Sequence, residues 1–173
     1  MKSKKIIMWS AAIMALGAVI AIFVLQNTNG CATLQDRERR LREISNLGEA
    51  VNIEEELFID GYVVSGYTAK NNRYGLALFA PAANGSYGFQ TNVNRERDRL
   101  VLLSTLIGHK HYDIFWANRA NLDHAEITYT IGGRTEETLI LDAGDNQIIY
   151  TEAPARDYSV HYIFVDKNGT RHE

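Results

Sequence analysis

Cysteine is nearly absent from this chain of 173 residues, in which Cys31 stands alone. One cysteine cannot form a disulfide within the chain, so a disulfide-stabilised scaffold is excluded. The fold must therefore rest on buried apolar surface, and a hydrophobic content of 46% is typical of a chain with a folded core. The same composition excludes intrinsic disorder, which requires low hydrophobicity and a large charge imbalance.

Catalytic signature motifs are also missing. The sequence has no G-x-S-x-G nucleophile elbow, no H-E-x-x-H metal motif, no S-x-x-K pair and no glycine-rich phosphate loop. These absences lower the expectation of an enzyme, and the residues indicate no cofactor. We therefore expect a binding or structural module rather than a catalyst.

Positive charge is scarce beyond the first few residues. Lys2, Lys4 and Lys5 provide three of the 18 lysines and arginines, so the remaining 15 face 21 acidic residues and leave a net charge of -6. Non-specific binding of nucleic acid requires a basic surface. We therefore predict no nucleic-acid partner.

Charge is entirely lacking from residues 6–25, which are predominantly apolar. About 20 helical residues match the ~30 Å hydrocarbon core of a bilayer, and backbone polar groups in lipid must be satisfied within the segment. The run predicts one transmembrane helix that anchors the chain. The lysines before it favour a cytoplasmic N-terminus of residues 1–5, with the rest of the chain outside the cytoplasm.

Two other fates of the apolar segment stay open. Small residues at Gly30-Cys31-Ala32 would allow cleavage by a signal peptidase near Ala32, and Cys31 could instead carry a lipid. Both fates would also export the domain that follows. A cluster of basic residues beyond the span opposes this orientation, because positive charge favours the cytoplasmic side. The cluster consists of Arg37, Arg39, Arg40 and Arg42.

Residues 26–50 comprise a polar linker and a highly charged helix that is predicted from Ala32 onward. Helical spacing places its apolar residues on one narrow stripe, and Gly48 is a suitable helix end. The stripe consists of Leu34, Leu41, Ile44 and Leu47. Two interpretations are open: a juxtamembrane stalk with weak self-association through the stripe, or a helix that packs on the domain.

Alternation replaces helical spacing over residues 51–173. In residues 125–131 apolar side chains alternate with polar ones, as in a half-buried strand, and Gly132-Gly133 then suits a two-residue turn. Eight or nine short strands without helices predict an antiparallel β-sandwich, and the closing segment suits an immunoglobulin-like topology. Strands are indicated at 57–67, 74–80, 87–93, 100–107, 111–117, 125–131, 135–141 and 158–165.

The sharpest candidate for chemistry is a pair of histidines followed by an aspartate. On an extended strand His109, His111 and Asp113 would project from one face, and two histidines with a carboxylate form a known ligand set for zinc or iron. This gives an alternative function, a metal-dependent enzyme. The glycine and lysine that flank His109 indicate instead that it lies in a turn, which would break the alignment and leave no metal site.

Two large aromatic residues, Phe115 and Trp116, stand side by side. On one strand they face opposite sides of the sheet, so one enters the core and the other is either covered or exposed. An exposed ring beside Asn118 and Arg119 could bind a protein partner or a glycan of the envelope, which makes these four residues the candidate partner site. The alternative is that both faces of the sheet are covered.

Overall fold

The computed structural model describes residues 30–44, 47, 50–97, 99–154 and 157–173, and only the backbone of 135–137. Within these ranges the chain is mainly β, and all strand pairing is antiparallel. The predicted antiparallel β class is confirmed. The strands number eleven there rather than eight or nine, because residues 51–69 form two strands and a short strand at Ile148–Glu152 was not predicted.

One α-helix precedes the strands. In chain order the elements are α1 (Leu34–Ile44), β1 (Val51–Ile59), β2 (Tyr62–Ala69), β3 (Arg73–Pro81), β4 (Tyr87–Glu96), β5 (Leu100–Ile107), β6 (Lys110–Ala117), β7 (Leu122–Ile131), β8 (Arg134–Asp142), β9 (Ile148–Glu152), β10 (Tyr158–Asp166) and β11 (Arg171–His172). A single turn of 3₁₀ helix at Ala83–Gly85 joins β3 to β4.

The strands form three sheets. The first sheet has the order β1-β2-β3-β4, the middle sheet β5-β6-β9 and the last sheet β11-β10-β7-β8. Side chains that alternate along β6 enter two different cores: Trp116 packs with residues of the first sheet, and Phe115 packs with residues of the last sheet. The middle sheet is therefore covered on both faces, which explains why β6 is buried over most of its length.

Tight turns follow the sequence closely. Gly132 and Gly133 have φ of 56° and 79°, which are the positive angles that a type I′ hairpin turn requires, and Ile131 pairs with Arg134 across them. The predicted β7–β8 hairpin is thus confirmed. Asp60 and Gly61 have φ of 47° and 81° and join β1 to β2 in the same way.

Helix α1 packs on the outer face of the first sheet. Thr33 caps it: the Thr33 Oγ1 accepts a bond from the Asp36 N–H at 3.2 Å, and the Asp36 carboxylate accepts one from the Thr33 N–H at 3.1 Å. Leu41 and Leu47 of the predicted stripe are buried with Val63 of β2. Of the two interpretations of this helix, packing on the domain is observed for Leu41 and Leu47, whereas Leu34 of the same stripe is 41% exposed. Weak self-association stays a prediction.

No helix in the described ranges combines the length and apolar character needed to cross a bilayer. The predicted span at residues 6–25 and the predicted N-terminus at 1–5 lie outside those ranges. So does Gly48, the predicted helix end, whereas α1 ends at Ile44.

Candidate functional site

Asp113 of β6 lies at the centre of a polar cluster between the middle and last sheets. Its side chain is fully buried. The Oδ1 atom accepts bonds from the Ser104 hydroxyl at 2.5 Å and the Tyr158 hydroxyl at 2.8 Å, and Oδ2 accepts one from the Tyr129 hydroxyl at 2.9 Å. These four residues, which we call the Asp113 cluster, come from β5, β6, β7 and β10. The cluster therefore links the two sheets through one carboxylate.

Both tyrosines of the Asp113 cluster are held in the protonated form. Burial, followed by the hydrogen bond to the Asp113 carboxylate, raises the pKa of Tyr158 to about 12 and raises that of Tyr129 further. The hydroxyls are therefore donors at neutral pH. Their rings meet edge to face, with centroids 5.3 Å apart, so the two donors have fixed positions.

The predicted alignment of His109, His111 and Asp113 is not found. His109 lies in the β5–β6 turn, beside Gly108 with φ of 59°, and both histidines are exposed whereas Asp113 is buried. Within the described part of the chain, no three His, Cys, Asp or Glu side chains form a group that could hold a metal ion. The carboxylate of Asp113 is instead engaged by the three hydroxyls, which sequence could not reveal because they come from distant strands.

Phe115 and Trp116 are both fully buried, one in each core beside the middle sheet. The Trp116 Nε1–H donates to the Asn146 carbonyl at 2.9 Å. Neither ring is available to a partner, so the partner-binding role predicted for them does not fit their burial. The alternative, in which both faces of the sheet are covered, is the one observed.

Asn118 and Arg119 follow β6 and are half-buried. Their backbone groups fix the loop: the Asn118 N–H donates to the Arg99 carbonyl at 3.0 Å, and the Arg119 carbonyl accepts from the Asn146 N–H at 3.0 Å. These residues therefore sit beside Trp116 as part of the structure that closes one end of the middle sheet. Because the Phe115 and Trp116 rings are buried, the four residues do not together present an exposed site for a partner.

An ion pair between Arg37 of α1 and Glu56 of β1 connects the helix to the first sheet. The Arg37 guanidinium donates to both carboxylate oxygens of Glu56, at 2.7 and 2.6 Å, and the Ser65 hydroxyl donates to the same carboxylate at 2.8 Å. Arg37 also lies 5.6 Å from the centroid of the Tyr87 ring. Of the four clustered arginines, only Arg37 is buried in this way. It lies three residues after Leu34 and four before Leu41, so helical spacing places it on the apolar stripe.

Cys31 is buried near the beginning of the described part of the chain. Its side chain is 2% exposed, and its backbone exchanges hydrogen bonds of 2.8 and 3.2 Å with Tyr87 of β4. Burial, followed by the charge of Asp36, raises the pKa of the Cys31 thiol. A lipid on this sulfur would have to occupy the core, and cleavage near Ala32 would remove the residue from it. Cleavage near Ala32 and lipidation of Cys31 stay predictions.

The chain matches no family model, no curated protein and no solved structure, so no relative indicates which of these features is functional. Two polar groups stand out by geometry, the Asp113 cluster and the Arg37–Glu56 pair. Each joins separate elements of the fold through side chains that satisfy one another, which is the arrangement of groups that stabilise a structure.

Proposed function

We propose that this chain is a single-pass membrane protein whose β-rich body lies outside the cytoplasm and binds a protein partner or an envelope polymer. The observation that carries the proposal is the short interval between the uncharged run 6–25 and Cys31, the first core residue in the described part of the chain. The five intervening residues span at most ~18 Å when fully extended. A body tethered this closely works at the membrane surface.

The proposal includes an immunoglobulin-like β-sandwich over residues 100–172, and the strand order supports it. Of the seven strands β5 to β11, the first, second and fifth lie in the middle sheet and the other four lie in the last sheet. Constant-type immunoglobulin domains divide their strands in the same way, except that the fourth strand pairs with the fifth. Here the fourth, β8, pairs with β7 instead.

Binding is favoured over catalysis by the way the polar clusters are used. A catalytic carboxylate or histidine must reach a substrate. The Asp113 carboxylate is buried and accepts three hydroxyl bonds, and the Glu56 carboxylate is engaged by Arg37 and Ser65. Both groups therefore support the fold, on which exposed loops and sheet edges would carry the contacts with a partner.

Membrane anchoring and orientation can be tested on the full chain in a bacterial host. We expect the chain in the membrane fraction after an alkaline carbonate wash, and we expect protease added outside spheroplasts to digest the body. The control is the double variant Leu16→Arg/Val19→Arg, because each arginine at the centre of a span costs about 2.5–3.5 kcal/mol. It should release the chain from the membrane. A wild-type chain that washes off, or a body sheltered from external protease, would contradict the proposal.

Metal analysis separates the proposal from the metal-dependent enzyme. The full chain purified in detergent should contain far less than one zinc or iron ion per chain, and His111→Ala should leave its metal content and thermal stability unchanged. Stoichiometric metal that is lost in His111→Ala would favour the enzyme instead.

A further inference from the structure

The described part of the chain begins at one end of the first sheet. The Cys31 backbone exchanges hydrogen bonds with Tyr87, the first residue of β4. Tyr87 in turn lies opposite Pro81, the last residue of β3, in the β3–β4 pairing. The hairpin tip formed by residues 81–86 therefore lies next to the point where the chain arrives from the apolar run 6–25. This fixes which end of the body is nearest to the anchor.

Apolar side chains are exposed at that end. Phe58 of β1 is 61% exposed, and its ring lies edge-on to that of Tyr87 with centroids 6.5 Å apart. In the hairpin tip Pro81, Ala82 and Ala83 are all exposed as well. Exposed apolar residues are ordinary when they are scattered, but these converge on Tyr87 from two strands and a turn.

One part of this end, made by the hairpin tip and the adjoining residues of β4, carries no charge of its own. The chain carries no charged residue from Tyr74 to Asn94, a stretch that includes most of β4 and the hairpin tip. Acidic side chains are common elsewhere on the body, which has an excess of negative charge. The hairpin tip and the adjoining residues of β4 therefore suit the interfacial zone of a bilayer, where apolar and aromatic side chains are favoured. Charged groups border them: Asp60 lies in the β1–β2 turn, and the Arg37 guanidinium lies 5.6 Å from the centroid of the Tyr87 ring.

We propose that the end of the first sheet defined by Phe58, Tyr87 and residues 81–86 rests on the bilayer that holds the chain, with the Phe58 and Tyr87 rings at the lipid headgroups. This inference rests on the proposed membrane anchor. The linker of five residues supports it, because a reach of at most ~18 Å keeps this end of the body beside the lipid. The body then has a fixed face toward the membrane.

The test uses an environment-sensitive fluorophore on the full chain reconstituted in phosphatidylcholine–phosphatidylglycerol vesicles. The dye is attached at Ala83→Cys, and the matched control carries it at Ile140→Cys, which replaces a residue that is 68% exposed on the last sheet. The wild-type chain, treated with the same dye, measures any labelling of Cys31. Little labelling is expected, because Cys31 is buried and the pKa of its thiol is raised. Nitroxide lipids in the vesicles should quench the dye at position 83 several-fold more than the dye at position 140.

Flotation of the same vesicles distinguishes the two proposals. A chain that floats while positions 83 and 140 are quenched equally overturns the docking face but leaves the anchor intact. A chain that does not float overturns the anchor, and the docking face with it.

Phe58→Ala provides a second variant. It should lower quenching at position 83 by about half without changing flotation, because the exposed ring contributes apolar area to the contact. Quenching that is unchanged in Phe58→Ala would overturn the role given to this ring.

Discussion

The Tyr129 hydroxyl donates a hydrogen bond of 2.9 Å to the Asp113 carboxylate across the interface between the last and middle sheets. Both side chains are almost completely buried, so neither group can exchange this bond for one to water. A hydrogen bond to a charged acceptor contributes about 1.5–3 kcal/mol, and the loss of one leaves part of a buried carboxylate unsatisfied. The pair should therefore contribute strongly to the stability of these two sheets.

Tyr129→Phe tests that contribution. We expect it to lower the free energy of unfolding by about 2 kcal/mol, measured by chemical denaturation of the full chain in detergent. The control is Tyr150→Phe, at a residue that is 43% exposed, which should change stability by less than about 0.5 kcal/mol. Equal effects of the two substitutions would mean that the bond to Asp113 adds nothing.

High pH should weaken the same cluster. The folded pKa of Tyr158 is raised to about 12 and that of Tyr129 lies higher still, above the ordinary value of 10.0 for a tyrosine. The folded state therefore holds these protons more tightly than the unfolded state, so their contribution is complete below about pH 10 and is lost as the pH rises toward 12.

Denaturation between pH 9 and 12 checks this expectation. The double variant Tyr129→Phe/Tyr158→Phe should lose stability less steeply with pH than the wild type does. Because other tyrosines remain in the variant, the difference between the two slopes is the measured quantity. Parallel slopes would show that these two hydroxyls do not titrate differently on folding.

Arg37→Met should destabilise the chain by about 3 kcal/mol, because it leaves the Glu56 carboxylate buried without its cation. The two side chains are only 6% and 15% exposed. The matched control on the same helix is Arg39→Met, since Arg39 is 59% exposed and its pairing with Asp36 is screened by water. Thermal unfolding should separate the two variants by several degrees. A loss in Arg39→Met as large as that in Arg37→Met would contradict the assignment.

Gly66→Ala should destabilise the contact between the first and middle sheets. A Cβ atom at Gly66 would stand 2.7 Å from Cε2 of the Trp116 indole, which is too close for two carbon atoms. Overpacking of this kind costs about 1–3 kcal/mol. Gly88→Ala is the control, since nothing lies within 4 Å of a Cβ there. The near-ultraviolet circular dichroism of tryptophan should change in Gly66→Ala and stay constant in Gly88→Ala.

The sequence by itself determined most of the strands and the turn between β7 and β8. The strand predicted at 100–107 coincides with β5, and Gly132-Gly133 joins two strands as predicted. Both signals are local: alternation reflects the two faces of a strand, and positive φ angles require particular residues. The short strand β9 was missed because five residues give too little alternation to recognise.

Only the tertiary structure decided what covers each face. Alternation correctly placed Phe115 and Trp116 on opposite sides of β6, but it could not indicate that a sheet packs against each side. The same packing buries Asp113 among hydroxyls from β5, β7 and β10. Burial depends on contacts between residues far apart in sequence, and such contacts do not produce a regular spacing of residues within one strand. The sequence therefore determined most of the elements, and the stacking of three sheets decided which polar and aromatic side chains are buried.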